Sequence, residues 1–177
     1  MALNIPAAVT TLTTITKTWS DAIRDSLLWT ATDAPHCRVY NSGSFSLTTG
    51  VAGAITFDSE RVDVGGCHST SSNTSRLTVP SGGGGFYLIG GHVAIAASSA
   101  GTYRTLGIRL NGATFIAYQT LAPLSASVDV RGSIQTAYQL AAGDYVELLA
   151  SQDSGGALNV LAASNYTPEF WFKWVST

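Results

Sequence analysis

From Cys37 onward the chain alternates apolar and polar residues with a period of two, the repeat of strands that bury one face. Cys37-Arg38-Val39-Tyr40 is broken by the turn signal Asn41-Ser42-Gly43, Ala54-Ile55-Thr56-Phe57 follows, and a polar loop runs over residues 65–75. Arg76-Leu77-Thr78-Val79 is a short strand that Pro80 ends. A glycine run at 82–85 then leads into a long strand over 86–97. Tyr87, Ile89, Val93 and Ile95 share one of its faces and Phe86, Leu88, Gly90, His92 and Ala94 the other, so the pattern predicts cover on both sides. Asn111-Gly112 predicts a tight hairpin between residues 105–110 and a return strand carrying Phe115, Ile116, Tyr118 and Leu121. A second hairpin is expected from 128–140 through Ala142-Gly143-Asp144 to 145–149. Asn159-Val160-Leu161 and the aromatic run Phe170-Trp171-Phe172-Lys173-Trp174-Val175 close the set. About eight to ten short strands separated by turns predict an all-β antiparallel sandwich of the jelly-roll type.

Upstream the rhythm changes. Residues 10–18 interleave threonine with Leu12 and Ile15 and read as an extended arm. A short helix is expected next, with Ser20 as N-cap, Asp21 in the first turn and Ile23, Leu27 and Leu28 as its apolar stripe, ending near Trp29. It is too short to be stable alone and must dock. Residues 32–35 read as a linker, which divides the chain into an arm with a helix over 1–36 and a knob over 37–177.

Composition changes the picture in one respect. Only 11% of the 177 residues are charged, against about 25% in an ordinary soluble domain, and 20 Ser, 21 Thr and 18 Gly supply the polar surface instead. No Asp, Glu, Lys or Arg occurs over 77–103 or 110–128, although one face of each stretch should point away from the core. Charge is depleted at the centre of interfaces and aromatics are enriched there, so these outward faces are expected to be covered by further copies of the chain in a closed cyclic assembly. The residues expected between copies are Tyr87, Ile89, Val93, Ile95, Phe115, Tyr118, Phe170, Phe172 and Trp174.

Other partners and chemistries are disfavoured. A net charge of −2 without a basic cluster offers no source for a phosphate-binding field, so nucleic acid is not expected. The opening residues lack a positively charged leader and do not read as a signal peptide, and no stretch is long and apolar enough to span a membrane. Cys37 and Cys67 each adjoin a histidine, His36 and His68, but the spacing is not that of a zinc site; two independent semi-buried thiols are expected. No nucleophile elbow, zinc-protease helix motif or phosphate loop occurs. Asp58 with Glu60, or Asp63 with Asp129, could pair for glycosidase or calcium chemistry, and solvated edge charge is the ordinary explanation. Asn73-Thr74-Ser75 and Asn165-Tyr166-Thr167 match the glycosylation pattern, as expected by chance in so hydroxyl-rich a chain. No enzyme activity, cofactor or metal is expected.

Residues 37–177 resemble the trimeric jelly-roll family that includes the complement globular heads and the tumour-necrosis-factor ligands. The matching features are Ile55-Thr56-Phe57-Asp58, then Arg76-Leu77-Thr78-Val79-Pro80 leading through glycine into Gly85-Phe86-Tyr87-Leu88-Ile89-Gly90-Gly91-His92-Val93, then Arg109-Leu110-Asn111-Gly112. Leu140-Ala141-Ala142-Gly143-Asp144-Tyr145-Val146-Glu147-Leu148 and the aromatic last strand complete the order. The resemblance implies a homotrimer around a threefold axis. No collagen-like stalk is present. The first 40 residues instead look like the leaders of tailed-bacteriophage virion proteins that end in such a knob. That implies a structural virion protein on the outer surface of the particle, docked on other virion proteins through Leu12, Ile15, Trp19, Ile23, Leu27 and Trp29. Capsid decoration, as a cement protein, is the leading role. A tail-tip or fibre-head protein that reads a host surface receptor is the second, its exposed loops being 65–75, 98–103 and 151–156, and a secreted lectin-like recognition module is the third.

Overall fold

The computed structural model describes residues 17–163 and 168–177. Helix α1 (Lys17–Leu28) runs on as a π-helical turn (Trp29–Asp33), followed by β1 (His36–Tyr40), β2 (Phe45–Leu47), β3 (Gly53–Ala54), β4 (Ser59–Val64), β5 (Arg76–Thr78) and β6 (Gly85–Ile95). β7 (Arg104–Leu110), β8 (Thr114–Leu121), β9 (Val130–Leu140), β10 (Tyr145–Gln152), β11 (Leu158–Val160) and β12 (Glu169–Ser176) follow. The strands make two packed sheets, a jelly-roll sandwich as the sequence pattern predicts. One sheet is seven-stranded, β2-β11-β6-β12-β1-β4 with β9 also on β6; the other is five-stranded, β3-β10-β7-β8 with β5 also on β10.

β6 and β12 are the backbone of the larger sheet. Their antiparallel register sets Tyr87 opposite Trp174, Ile89 opposite Phe172 and Gly91 opposite Phe170. These side chains point between the sheets and meet Phe57, Leu106, Ile108, Val146 and Leu148 in one apolar cluster. Tyr87 and Phe172 cross edge to face at 4.9 Å, an arrangement in which the positive rim of one ring meets the negative face of the other. The buried Tyr87 hydroxyl donates to the Gly83 carbonyl at 2.6 Å, which satisfies it inside the core.

The Asn111-Gly112 hairpin forms as expected, with both residues at positive φ (50° and 70°), the geometry of the tight turn. Asn111 also ties this turn to its neighbour, donating from Nδ2 to Asp144 Oδ1 and accepting the Tyr145 amide at its own Oδ1. The second expected hairpin does not form. β9 pairs with β6 in one sheet while β10 pairs with β7 in the other, so the turn at 141–144 carries the chain across the sandwich. Sequence spacing showed two strands and a turn but not which sheet each would join.

The helix also differs from expectation. It already includes Lys17 to Thr18 ahead of Ser20, held by Asp21, which accepts from Lys17 at 2.5 Å and from Arg24 at 2.9 Å. It then continues through the expected linker, where Thr30 and Thr32 donate back to the Ser26 and Leu28 carbonyls. Trp29 leaves the helix for the knob and packs edge to face on Trp174 at 4.7 Å, 9% exposed. The Pro35 carbonyl accepts the Trp174 amide at 2.9 Å, so the knob's contacts begin before residue 37. Among the described residues no helix is long and apolar enough to cross a membrane.

Trp29→Ala should therefore lower the unfolding free energy by about 3 kcal/mol, a typical loss for a buried aromatic. In urea unfolding, a variant as stable as the parent would show that the Trp29 contact does not hold the segment to the knob.

Candidate interaction surfaces

The seven-stranded sheet turns a second face to solvent, and its composition follows from the phase of β6. With Tyr87 and Ile89 inward, Phe86, Leu88, Gly90 and His92 point outward, facing Gln139, Ala137, Gln135 and Ser133 of β9. From β12 the outward residues are Glu169, Trp171 and Lys173. The Trp171 ring lies across Gly90 so closely that a Cβ at that glycine would sit 2.6 Å from it. Hollows of about 200 and 220 Å³ flank the ring. The first is lined by His36, Arg38, Val62 and Lys173 among others, the second by His92, Ser133 and Gln135 among others. Leu88 stands beside them 45% exposed.

One margin of this face is fixed by a charge cluster. Glu169, only 3% exposed, takes Arg38 on one carboxylate oxygen and Arg61 on the other, the latter from Nε at 2.6 Å. Arg61 also lies 4.6 Å above the Tyr40 ring, a cation–π contact. Burial alone would push the Glu169 carboxyl up, but hydrogen bonds and charge from Arg61 and Arg38 outweigh it and hold the group below its usual range.

A second apolar patch lies on the edge strand β8. Phe115 and Tyr118 meet edge to face at 5.4 Å. Both sit over Gly107, where a Cβ would come within 2.5 Å of the Phe115 ring. Tyr118 is 59% exposed. On the same face, Glu147 accepts from Arg109 at 2.9 Å and from Ser75 at 2.9 Å, while Arg76 stacks 4.0 Å above Tyr145.

These placements correct part of the sequence reading. Tyr87, Ile89, Val93, Ile95, Phe170, Phe172 and Trp174 are buried in the sandwich of a single chain, so no second copy can touch them. The physical reason is phase: both faces of β6 are largely apolar and each carries a glycine, and the set without a histidine takes the core. The signal was the interruption of the other face by Gly90 and His92, positions that tolerate an overlying ring and a polar tip. Phe115 and Tyr118 do lie on the surface. Of the expected docking residues, Trp19, Ile23 and Leu27 recur along α1, Leu27 being 66% exposed, whereas Trp29 is taken by the knob. Leu12, Ile15 and the Asn165-Tyr166-Thr167 motif lie outside the described residues.

The remaining candidates resolve into local structure. Asp58 accepts from the Ser42 amide and hydroxyl, and Asp129 accepts the Ala97 amide far from Asp63 in the chain. Of the exposed loop expected over 151–156, Ser151 and Gln152 are instead the buried end of β10, because they pair with Thr105 and Arg104. In the loop that follows, Asp153 accepts from Thr102 and Tyr103 of the 98–103 loop, hydrogen bonds that hold its carboxyl below its usual range. The Arg104 side chain, fully buried, donates to the Ser98, Ala100 and Tyr103 carbonyls and stitches the same loops from beneath. Cys37 stands opposite Asp63 on β4, and Asp63 accepts the Cys67 amide at 2.8 Å. Both thiols are buried and unpaired. Burial and the Asp63 charge push the Cys67 thiol up to about 12 and move Cys37 the same way, which suppresses the reactive thiolate. Among the described residues no group of three or more His, Cys, Asp or Glu could hold a metal.

The fold these sheets define is the complement-globular-head and tumour-necrosis-factor-like jelly roll. The chain is similar to the globular domain of the zebrafish complement 1qA protein, at 16% identity over 80% of this chain and 97% of that one, with a TM-score of 0.53. It is similar also to murine APRIL in its crystal structure at pH 5.0, at 10% identity over 78% of this chain and 98% of that one, with a TM-score of 0.58. No family model matches the sequence, and no curated protein matches it.

Two outcomes follow from the buried groups. Because the Glu169 carboxyl is held below its usual range in the folded chain, its contribution is present at neutral pH and is lost as pH falls through the carboxyl range. Glu169→Gln should cost about 1–2 kcal/mol at pH 7, discounted because the arginines are half exposed. The gap to the parent should shrink by pH 3; a gap independent of pH would refute the ion-pair account. The thiols should resist a thiol-reactive disulfide reagent in the folded protein and react at both sites in denaturant, whereas rapid labelling of the native chain would contradict their burial.

Proposed function

We propose that this chain is a non-enzymatic structural protein of a tailed-bacteriophage virion, a homotrimer that exposes its jelly-roll knob and is anchored through its N-terminal segment, most simply as a capsid decoration protein. The observation that carries the assembly is the pairing of two separate apolar patches on one knob. Phe86, Leu88 and Trp171 form one on the outward sheet face, and Phe115 and Tyr118 form the other on β8. Different patches favour head-to-tail contact, edge against face, and such contacts close into a ring only under cyclic symmetry. Aromatic and aliphatic groups with Arg38 and Arg61 at the margin, and Lys173 opposite Leu88, suit an interface core and its rim.

The anchoring role is supported by α1, none of whose residues is buried against the knob although Trp19, Ile23 and Leu27 share one stripe. The virion setting rests on the leader's resemblance to phage virion proteins. A tail-tip role uses the same anchor with the loops 65–75, 98–103 and 153–156 turned to the host. Copies per particle separate the two, hundreds for decoration and a handful for the tail.

Light scattering of the purified chain should give three times the protomer mass, and Leu88→Glu should shift it to the monomer while the circular dichroism of the knob is retained. A parent chain that is monomeric at micromolar concentration would overturn the assembly.

A further inference from the structure

We propose that Asn111-Gly112 is a latent self-modification site whose rate the fold controls. Asp144 and the Tyr145 backbone hold the Asn111 carboxamide away from the Gly112 nitrogen. When that clasp opens, the pair closes into a succinimide that hydrolyses to aspartate or isoaspartate. The inference concerns a single chain and does not rest on the assembly.

Asn111 is the one asparagine of the sequence followed by glycine, and a glycine nitrogen has no side chain beside it to hinder attack on the carboxamide. The fold cannot avoid this pair. Asn111 and Gly112 both stand at positive φ, and a Cβ at Gly112 would lie 2.8 Å from the Tyr145 hydroxyl oxygen, so the turn demands glycine there. Asn111 is exposed, which admits the water that the reaction consumes.

The fold instead occupies the carboxamide. Nδ2 donates to Asp144 Oδ1 at 2.8 Å and Oδ1 accepts the Tyr145 amide at 2.9 Å, while the Asn111 amide donates to the Tyr145 carbonyl at 2.9 Å. Asp144 is fixed in turn, its other oxygen accepting the Ala141 amide at 2.8 Å. The side chain cannot turn onto the Gly112 nitrogen without giving up two hydrogen bonds, one of them to a charged group. Once it does, the Gly112 nitrogen bonds to Asn111 Cγ, the Cγ–Nδ2 bond breaks, and ammonia leaves with the glycine amide hydrogen. Water then opens the ring at either carbonyl. One water enters and one ammonia departs, with no oxidant or reductant. The product carries a carboxylate where Nδ2 met Asp144, so like charges face each other and the clasp does not re-form.

Peptide mapping of the full chain incubated in mild alkali tests this. Deamidation at Asn111 should run about a hundredfold slower in the native protein than in the same chain in guanidinium chloride, the protection that two such hydrogen bonds give. Asp144→Ala should raise the native rate about tenfold, and D144N, which keeps an acceptor but not the charge, should raise it less. Asn111→Asp, the product made without the ring, should speed exchange of the Ala141 and Tyr145 amides and leave the β6–β12 amides unchanged. Equal rates in the native and denatured parent would overturn the clasp. So would a D144A chain that keeps its circular dichroism and deamidates no faster than the parent, or Ala141 and Tyr145 amides that exchange alike in the parent and N111D. The first reading needs only the parent protein and stands even where a variant fails to fold.

Discussion

The phase of β6 is the constraint from which most of this structure follows. The strand is the centre of its sheet, paired with β12 along one side and β9 along the other, so each of its side chains must point either into the sandwich or directly away from it. Tyr87, Ile89, Val93 and Ile95 take the inside and the aromatic residues Phe170, Phe172 and Trp174 of β12 follow by register. The outward set is then dictated. Phe86, Leu88, Gly90 and His92 have no core left to join, and Trp171 lies across the gap that Gly90 leaves. A slip of one residue would exchange the two sets, burying Phe86, Leu88 and His92 and turning Tyr87, Ile89, Val93 and Ile95 to solvent.

The low charge of the chain has a structural counterpart in how its acids are used. Glu169 and Glu147 are each buried beneath arginines on opposite sheets, while Asp58, Asp63, Asp129, Asp144 and Asp153 each accept backbone amides or hydroxyls that fix a loop. These carboxylates do not serve as solubilising surface. They terminate strands and hold turns where backbone donors lack a ladder partner, a task that a serine or threonine hydroxyl performs more weakly.

Much of the fold was legible in the residues. Period-two alternation and Asn111-Gly112 located the strands and the hairpin because those signals depend on neighbours in the chain. What escaped depends on distant parts of it. The turn at 141–144 looks the same whether the strands beside it pair or part, since only the vacant edges of β6 and β7 decide that. The two faces of β6 are both apolar, so alternation reveals that there are two faces but not which is inside. Trp29 lies in helical sequence, and its partner Trp174 stands 145 positions further along the chain. The charge-free stretches did point to a real property of the surface, and Phe115 and Tyr118 lie on it.

The order of strands also governs how the chain reaches this state. β12 lies between β1 and β6, so the last strand to be made occupies an inner place in the larger sheet. Until it arrives, β1 and β6 each present an open edge, and the aromatic half of the core is missing. Such edges template pairing with other chains, and non-local closure is slow. During synthesis the nascent knob is therefore most exposed to mispairing just before β12 is inserted, and that one insertion closes both edges.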